Sequence, residues 1–198
     1  MNIRSADPSV VKSIRQRVLL AEWLRQHATA GSLPSLARYF PPDFDEEKRD
    51  MLMYEVADPS ASPCLIITFD GQRLSQAYNK VGKGQTLQDM MGPKRAAVIL
   101  PVYYACVQRA RPVFSICAAT DVNGTHVDFE RLLLPFGTGN RVTGIIASLK
   151  TISVDGSFEQ KRLLRSDEAP AFSLIAAIDT NLALQRQVKI AADDIVAI

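Results

Sequence analysis

Histidine and cysteine are scarce in this chain, with two histidines and three cysteines among 198 residues. The two distant histidines, His27 and His126, are poor material for a Ser-His-Asp site, and a metal centre needs more ligands than they supply, so no metal is expected. Cys64, Cys106 and Cys117 are odd in number and scattered, and no CxxC spacing joins them. Neither a disulfide framework nor a zinc site follows, and this usage fits a reducing, intracellular compartment.

An excess of one charge is also missing. The 23 Lys and Arg residues against 21 Asp and Glu leave +2, with a pI near 8.5. That is too mild for a surface built to neutralise many phosphates, so nucleic acid is not an expected partner. Long hydrophobic runs are lacking too: the longest, Ala96 to Val107, is too short to span a bilayer and contains Pro101. The opening MNIRSADPS has no apolar core of a signal peptide. A soluble cytoplasmic protein, away from membranes, is the expectation. GxSxG, HExxH and GxxxxGK[ST] are absent, and Gly82-Lys83-Gly84 reads as a loop between helices rather than a phosphate cradle.

The residues present give an α+β pattern. Val10, Val11, Ile14, Val18, Ala21 and Leu24 recur at three and four, which predicts an amphipathic helix from Val10 to Ala28 with Ser9 as N-cap and Gly31 and Pro34 as stops. Ser35 to Tyr39 is a short second helix. Asp43 to Asp50 is a charge run read as a solvated linker or short helix. Met51 to Ala57 and Pro63 to Phe69 are strand-like runs separated by the turn cluster Asp58-Pro59-Ser60-Ala61-Ser62, an antiparallel pair.

Short helical pieces follow around Leu74 to Asn79 and Leu87 to Met91. Pro93 then opens a longer helix, and Pro101 is a second start, with the end near Ala110. Three strands come next: Val113 to Thr120, His126 to Pro135 and Arg141 to Ile152. Asn123-Gly124 and Gly137-Thr138-Gly139-Asn140 join them as hairpins. In the tail, Asp179 or Thr180 caps a final helix through Leu184, Val188 and Ala191, with strand character in Ser173 to Ile178 as the alternative.

These elements predict one five-stranded antiparallel sheet with a helical crossover, flanked by an N-terminal helix in 1–34 and an extension in 156–198, the sheet domain itself occupying 35–155. Leu65-Ile66-Ile67, Leu132-Leu133-Leu134 and Ile145-Ile146 are apolar on both faces, so something covers the second face. The N-terminal helix, whose apolar stripe includes Ile14, Val18, Trp23 and Leu24, is the candidate cover, alone or with its copy in a homodimer.

One charged residue stands out. Val127, Phe129, Arg131 and Leu133 share a strand face, which sets a guanidinium in an apolar row. It needs a partner. Glu55, sharing a face with Met51 and Met53, is one candidate for a cross-sheet ion pair; a snorkelling stem and an anionic ligand are the alternatives.

The opening strands Met51 to Val56 and Cys64 to Asp70, the helix PVYYACVQRARPVFS and the strand FERLLLPFGTGNRVTGIIASL resemble a PAS domain, in particular the compact bacterial PAS-type regulator family. The resemblance covers about Ala37 to Ser153. It implies a sensory or protein-interaction domain, often dimeric, with a cavity between sheet and helices. Tyr54, Glu55, Tyr103, Tyr104, Phe114, Phe129 and Arg131 are the candidate cavity residues, ordinary core packing being the alternative for the aromatic ones. No NCRFLQ-type motif of LOV flavin domains is present, and Cys106 lies one element later as a small buried hydrophobe. Residues 93–111 offer no axial histidine for haem. The cofactor stays open, without a haem or LOV-flavin signature.

The expected function is a sensory or regulatory module without catalytic residues that binds a small molecule or a signalling partner protein. The alternatives are a small enzyme with Arg131 as substrate anchor and Glu55 as base, and a constitutive adaptor.

Overall fold

Two tight reversals set the register of the central strands. Asp121 Oδ1 accepts the N–H groups of Asn123 and Thr125, both at 2.8 Å, and Gly124 takes φ +85° beside them. Gly139, at φ +58°, makes the second reversal. Both glycines occupy left-handed backbone that other residues enter only with strain. The computed structural model describes residues 2–40, 45–58, 62–121, 123–153 and 169–181.

The strands are β1 (Arg4–Ala6), β2 (Met51–Asp58), β3 (Cys64–Asp70), β4 (Val113–Thr120), β5 (His126–Thr138), β6 (Arg141–Ser153) and β7 (Ala171–Ile178). The helices are α1 (Ile14–Ala30), α2 (Asp45–Lys48), α3 (Gln72–Tyr78), α4 (Leu87–Met91) and α5 (Pro93–Arg109), with single 3-10 turns at Pro8–Val10 and Leu36–Arg38. None is long and apolar enough to cross a membrane.

The α+β class holds, but the sheet is seven-stranded and mixed, in the order β1-β7-β4-β5-β6-β2-β3. The five expected strands are contiguous within it and antiparallel. The correction concerns the edge beyond β4, where β7 pairs antiparallel with β4 and β1 pairs parallel with β7. Ser173–Ile178 is therefore strand, and the final helix predicted through Leu184 lies outside the described residues. A three-residue strand such as β1 carries no alternation of its own; its pairing across the chain is a tertiary event.

The sheet is covered on both faces, with α5 against β4 and β5 on one side and α1 against β5 on the other. α1 begins later than its apolar periodicity predicts, capped by Ser13 rather than Ser9, because Pro8–Val10 forms a separate turn capped by Asp7. Of the expected stripe it buries Trp23, and beside it Gln16, Leu19 and Leu20, which the periodicity does not name. Ile14 and Val18, from the predicted stripe, remain 71% and 52% exposed. The docking is decided by Trp23, whose Nε1–H donates to Pro135 O at 2.7 Å, and by Gln16, whose amide donates to Ser148 O at 2.9 Å. Those two bonds give the buried indole N–H and side-chain amide of α1 acceptors on the sheet.

α5 runs unbroken through Pro101, so that proline is an interior residue and not a second start. The charge run is α2, and its core is tied down rather than solvated. Glu47 is buried and pairs with Arg15 of α1 and with Lys150 of β6, while Asp50 accepts from Arg73 and Lys150 at 2.8 and 2.7 Å.

Candidate functional site

Strand register decides which side chains meet beneath α5. Ser115 of β4, Arg131 of β5 and Leu149 of β6 lie directly opposite one another in one cross-strand row. Directly opposed residues share a face, and alternate residues along each strand join them. Cys117, Phe129 and Leu133 therefore flank the row on the same side. Through Ile145 the alternation reaches Tyr54 of β2. Tyr103 descends onto this face from α5, with its ring centroid 5.3 Å from that of Tyr54 at 79° and their hydroxyl oxygens 3.4 Å apart.

Arg131 lies at the centre and is 3% exposed, its guanidinium carbon 5.8 Å from the Tyr103 ring centroid. This is a cation–π contact inside the domain. Arg131 Nε and Nη1 have no hydrogen-bond partner, nor does the buried hydroxyl of Ser115 across the row. No carboxylate among the described residues pairs with this guanidinium. Arg95, also buried, acts electrostatically on two of the same neighbours, Tyr78 and Cys117, and has a contact of its own.

The groups around Arg131 are held neutral at ordinary pH. Burial raises the phenols of Tyr54 and Tyr103, pushes Tyr78 up to about 12 and raises the Cys117 thiol. Burial works against the Arg131 charge as well; its pKa nonetheless shifts upward, because at the high pH where it would lose its proton Tyr103, Cys117, Tyr78 and Tyr54 carry negative charge beside it. The arrangement is a fixed cation walled by aromatic rings and neutral donors. It can hold an anion, and its neighbours supply no evident general base.

The cavity residues expected from the sequence divide between two faces. Tyr54, Tyr103 and Arg131 come together under α5, while Phe129, on the same strand face as Arg131, packs in a separate cluster with Cys117 and Val127. Tyr104 is half-buried on α5. Phe114 is buried, but it is opposite Leu132 and so belongs to the α1 side. Glu55 requires correction: it is exposed and lies opposite Gly144, one residue out of phase with Tyr54. The side-chain period of two puts it on the other face from Arg131, so the cross-sheet pair does not form and Glu55 has no access to the interior as a base.

Ser115, Tyr78, Cys117 and Arg95 are the members that sequence reasoning missed. A strand-by-strand register of Val113 to Thr120 against His126 to Pro135 would have found Ser115 and Cys117. Tyr78 and Arg95 depend on how the crossover helices dock, for which no local signal exists.

His27 half-buries in a stack against Trp23, its Nδ1 2.8 Å from Ser32 O, and His126 is exposed at the start of β5. Among the described residues no three His, Cys, Asp or Glu side chains are grouped as metal ligands. No family model matches the chain, and no curated protein does.

Proposed function

We propose that this chain is a PAS-like sensory or regulatory module of the cytoplasm, binding a small molecule or a partner protein in signalling. The observation that carries the reading is Arg131, a buried guanidinium without a carboxylate partner among the described residues, under a helical crossover. A stability-driven core has no use for such a group, because burying an uncompensated charge costs several kcal/mol or more. The order of two strands, helical crossover and three strands, on which the PAS resemblance rests, supports the same reading. An interior that gains its missing partner from outside responds to the presence of that partner, which is the requirement for a sensor. Native mass spectrometry of freshly purified protein tests this. A non-covalent adduct is expected, and a bare chain mass that no added small molecule changes would defeat the small-molecule arm.

A homodimer through α1 and the sheet belongs to the same proposal. Ile14 and Val18 form the outward apolar part of α1 and stay exposed among the described residues. A second copy of that face would cover them. Val18→Asp is expected to shift the sedimentation profile from dimer to monomer with stability changed by less than about 0.5 kcal/mol, as for other surface substitutions. A wild-type chain that sediments as a monomer at high concentration would leave α1 as an internal cover alone.

A further inference from the structure

We infer that the groove between the Pro8–Val10 turn and α1 is the seat of this chain's own C-terminal residues, 182–198, whose apolar side chains fill it; the inference is independent of what the interior binds. Pro8 and Ser9 form one wall and Arg17, Leu20, Ala21 and Leu24 of α1 the other, around a space of about 230 Å³. At the helical turn of α1 this is a flank, beside the ridge of Ile14 and Val18 and apart from the face that Leu19 and Trp23 bury on the sheet. Pro8 and Leu24 are half-buried in it and Ala21 is exposed. Recessed carbon of this kind accepts apolar side chains, and Arg17 adds one positive charge at the edge.

Position selects the occupant. β7 runs parallel to β1 with Ile178 beside Ala6, and the Asp179 N–H donates to Ala6 O at 2.8 Å. Two residues beyond Ala6 the N-terminal segment reaches Pro8 and the groove wall. On the other strand, Asp179 Oδ1 accepts the Asn181 N–H at 3.0 Å, and Thr180 and Asn181 open a helical turn. The last described residue therefore stands at the mouth of the groove, with seventeen residues, 182–198, beyond it. Even at the compact rise of about 1.5 Å per residue they reach about 25 Å, well past the roughly 10 Å from Arg17 to Leu24 along α1.

Pattern and charge agree with that placement. Leu184, Val188, Ala191 and Ile195 recur at four, three and four, the spacing of a single apolar stripe. Asp193 and Asp194 are the acids of this segment. No carboxylate among the described residues pairs with Arg17, whereas Arg15 and Arg25 are matched by Glu47 and Glu22. A second copy of α1 is the competing occupant. It would bring Ile14 and Val18 but set further arginines against Arg17, since its one acid, Glu22, is held by Arg25.

The test is photocross-linking of the full chain with benzoylphenylalanine in place of Ser9, at the edge of the groove, and in a control in place of Val81, exposed between α3 and α4. The Ser9 probe should give a product of monomer mass joined to residues 182–198, and the Val81 probe should not. In the Ser9-probe chain, Val188→Asp should lower the yield of that product at least about tenfold. Arg17→Glu should lower it less, and adding Asp193→Lys and Asp194→Lys should restore part of the loss. Arg17→Glu also keeps the reading available should Val188→Asp fail to fold. No product, one joined elsewhere in the chain, the same product from the Val81 probe, or a yield unchanged in both variants would overturn the inference. A product of dimer mass in its place overturns it too, and one joined to α1 of a second copy would leave the proposed homodimer standing.

Discussion

The two faces of the sheet are covered by helices of equal length, seventeen residues each, yet they treat buried polar groups differently. On the α1 side the large side chains end in bonds: Trp23 donates to Pro135 O at 2.7 Å and Tyr39 to Leu19 O at 2.6 Å. On the α5 side the corresponding centre is Arg131 and Ser115, both buried, with Nε and Nη1 of the one and the hydroxyl of the other lacking hydrogen-bond partners. The first face is arranged for adhesion and the second retains unspent bonding capacity. Native interiors satisfy most buried polar atoms, so the exceptions are informative where they cluster.

The comparison can be broken from either side. The largest effect is expected from Trp23→Ala, which removes a fully buried indole and its bond to Pro135 O. Chemical denaturation should show a loss of about 3–5 kcal/mol. A change under about 1 kcal/mol, roughly the mean for any substitution, would mean that α1 is an accessory to the sheet and not its cover.

Arg131→Met should act in the opposite direction. In buffer free of carboxylates it removes an uncompensated charge, and urea denaturation should find the variant unchanged or more stable by about 1–4 kcal/mol. Combining it with Glu55→Gln should give a coupling energy below about 0.5 kcal/mol, since the two side chains lie on opposite faces. A large favourable coupling would restore the ion pair that the register excludes.

The smallest effect is a pH dependence at the one place where the α1 face resembles its opposite. Gln16 Oε1 and Glu130 Oε2 are buried acceptors without partners. Burial raises the Glu130 carboxyl above its usual 4.5, assisted by Asp128 and opposed by the Ser13 N–H and by Lys12. The folded chain thus holds a proton that the unfolded chain releases. That contribution is complete below the ordinary glutamate value and is lost as pH rises through the raised one. Relative to wild type, Glu130→Gln should show a flatter decline in urea midpoint between about pH 4 and pH 7. Parallel pH profiles would show Glu130 titrating as an exposed acid.

Much of the frame was legible because its signals are local. Asn123-Gly124, the proline at the start of α5 and the paired apolar runs of β2 and β3 each act within a few residues. The α1 error shows the limit of periodicity. The apolar stripe joins Ile14 and Val18 to Trp23, but only Trp23, with the largest surface to bury and an N–H to place, faces the sheet. Arg131 was found because one cation in an apolar row is visible without a partner. The candidate partner Glu55 fails because facing in one strand says nothing about facing in another until the register is known. Glu55 differs from Tyr54 by a single residue, and that step is the whole distance between the interior and solvent.

The parallel pairing of Arg4 with Ala176 has a consequence for how the chain is made. About 170 residues separate the two strands, and at the usual 5–20 residues per second of synthesis, the first waits roughly 10–30 s for the second. Until β7 emerges, β4 is an open edge of the growing sheet, offering unpaired main-chain groups along Val113–Thr120. Closing so long a loop also makes this edge a late event in refolding from denaturant. The nascent protein is therefore most exposed to misassociation along β4, and most in need of a chaperone, in the interval before its last described strand arrives.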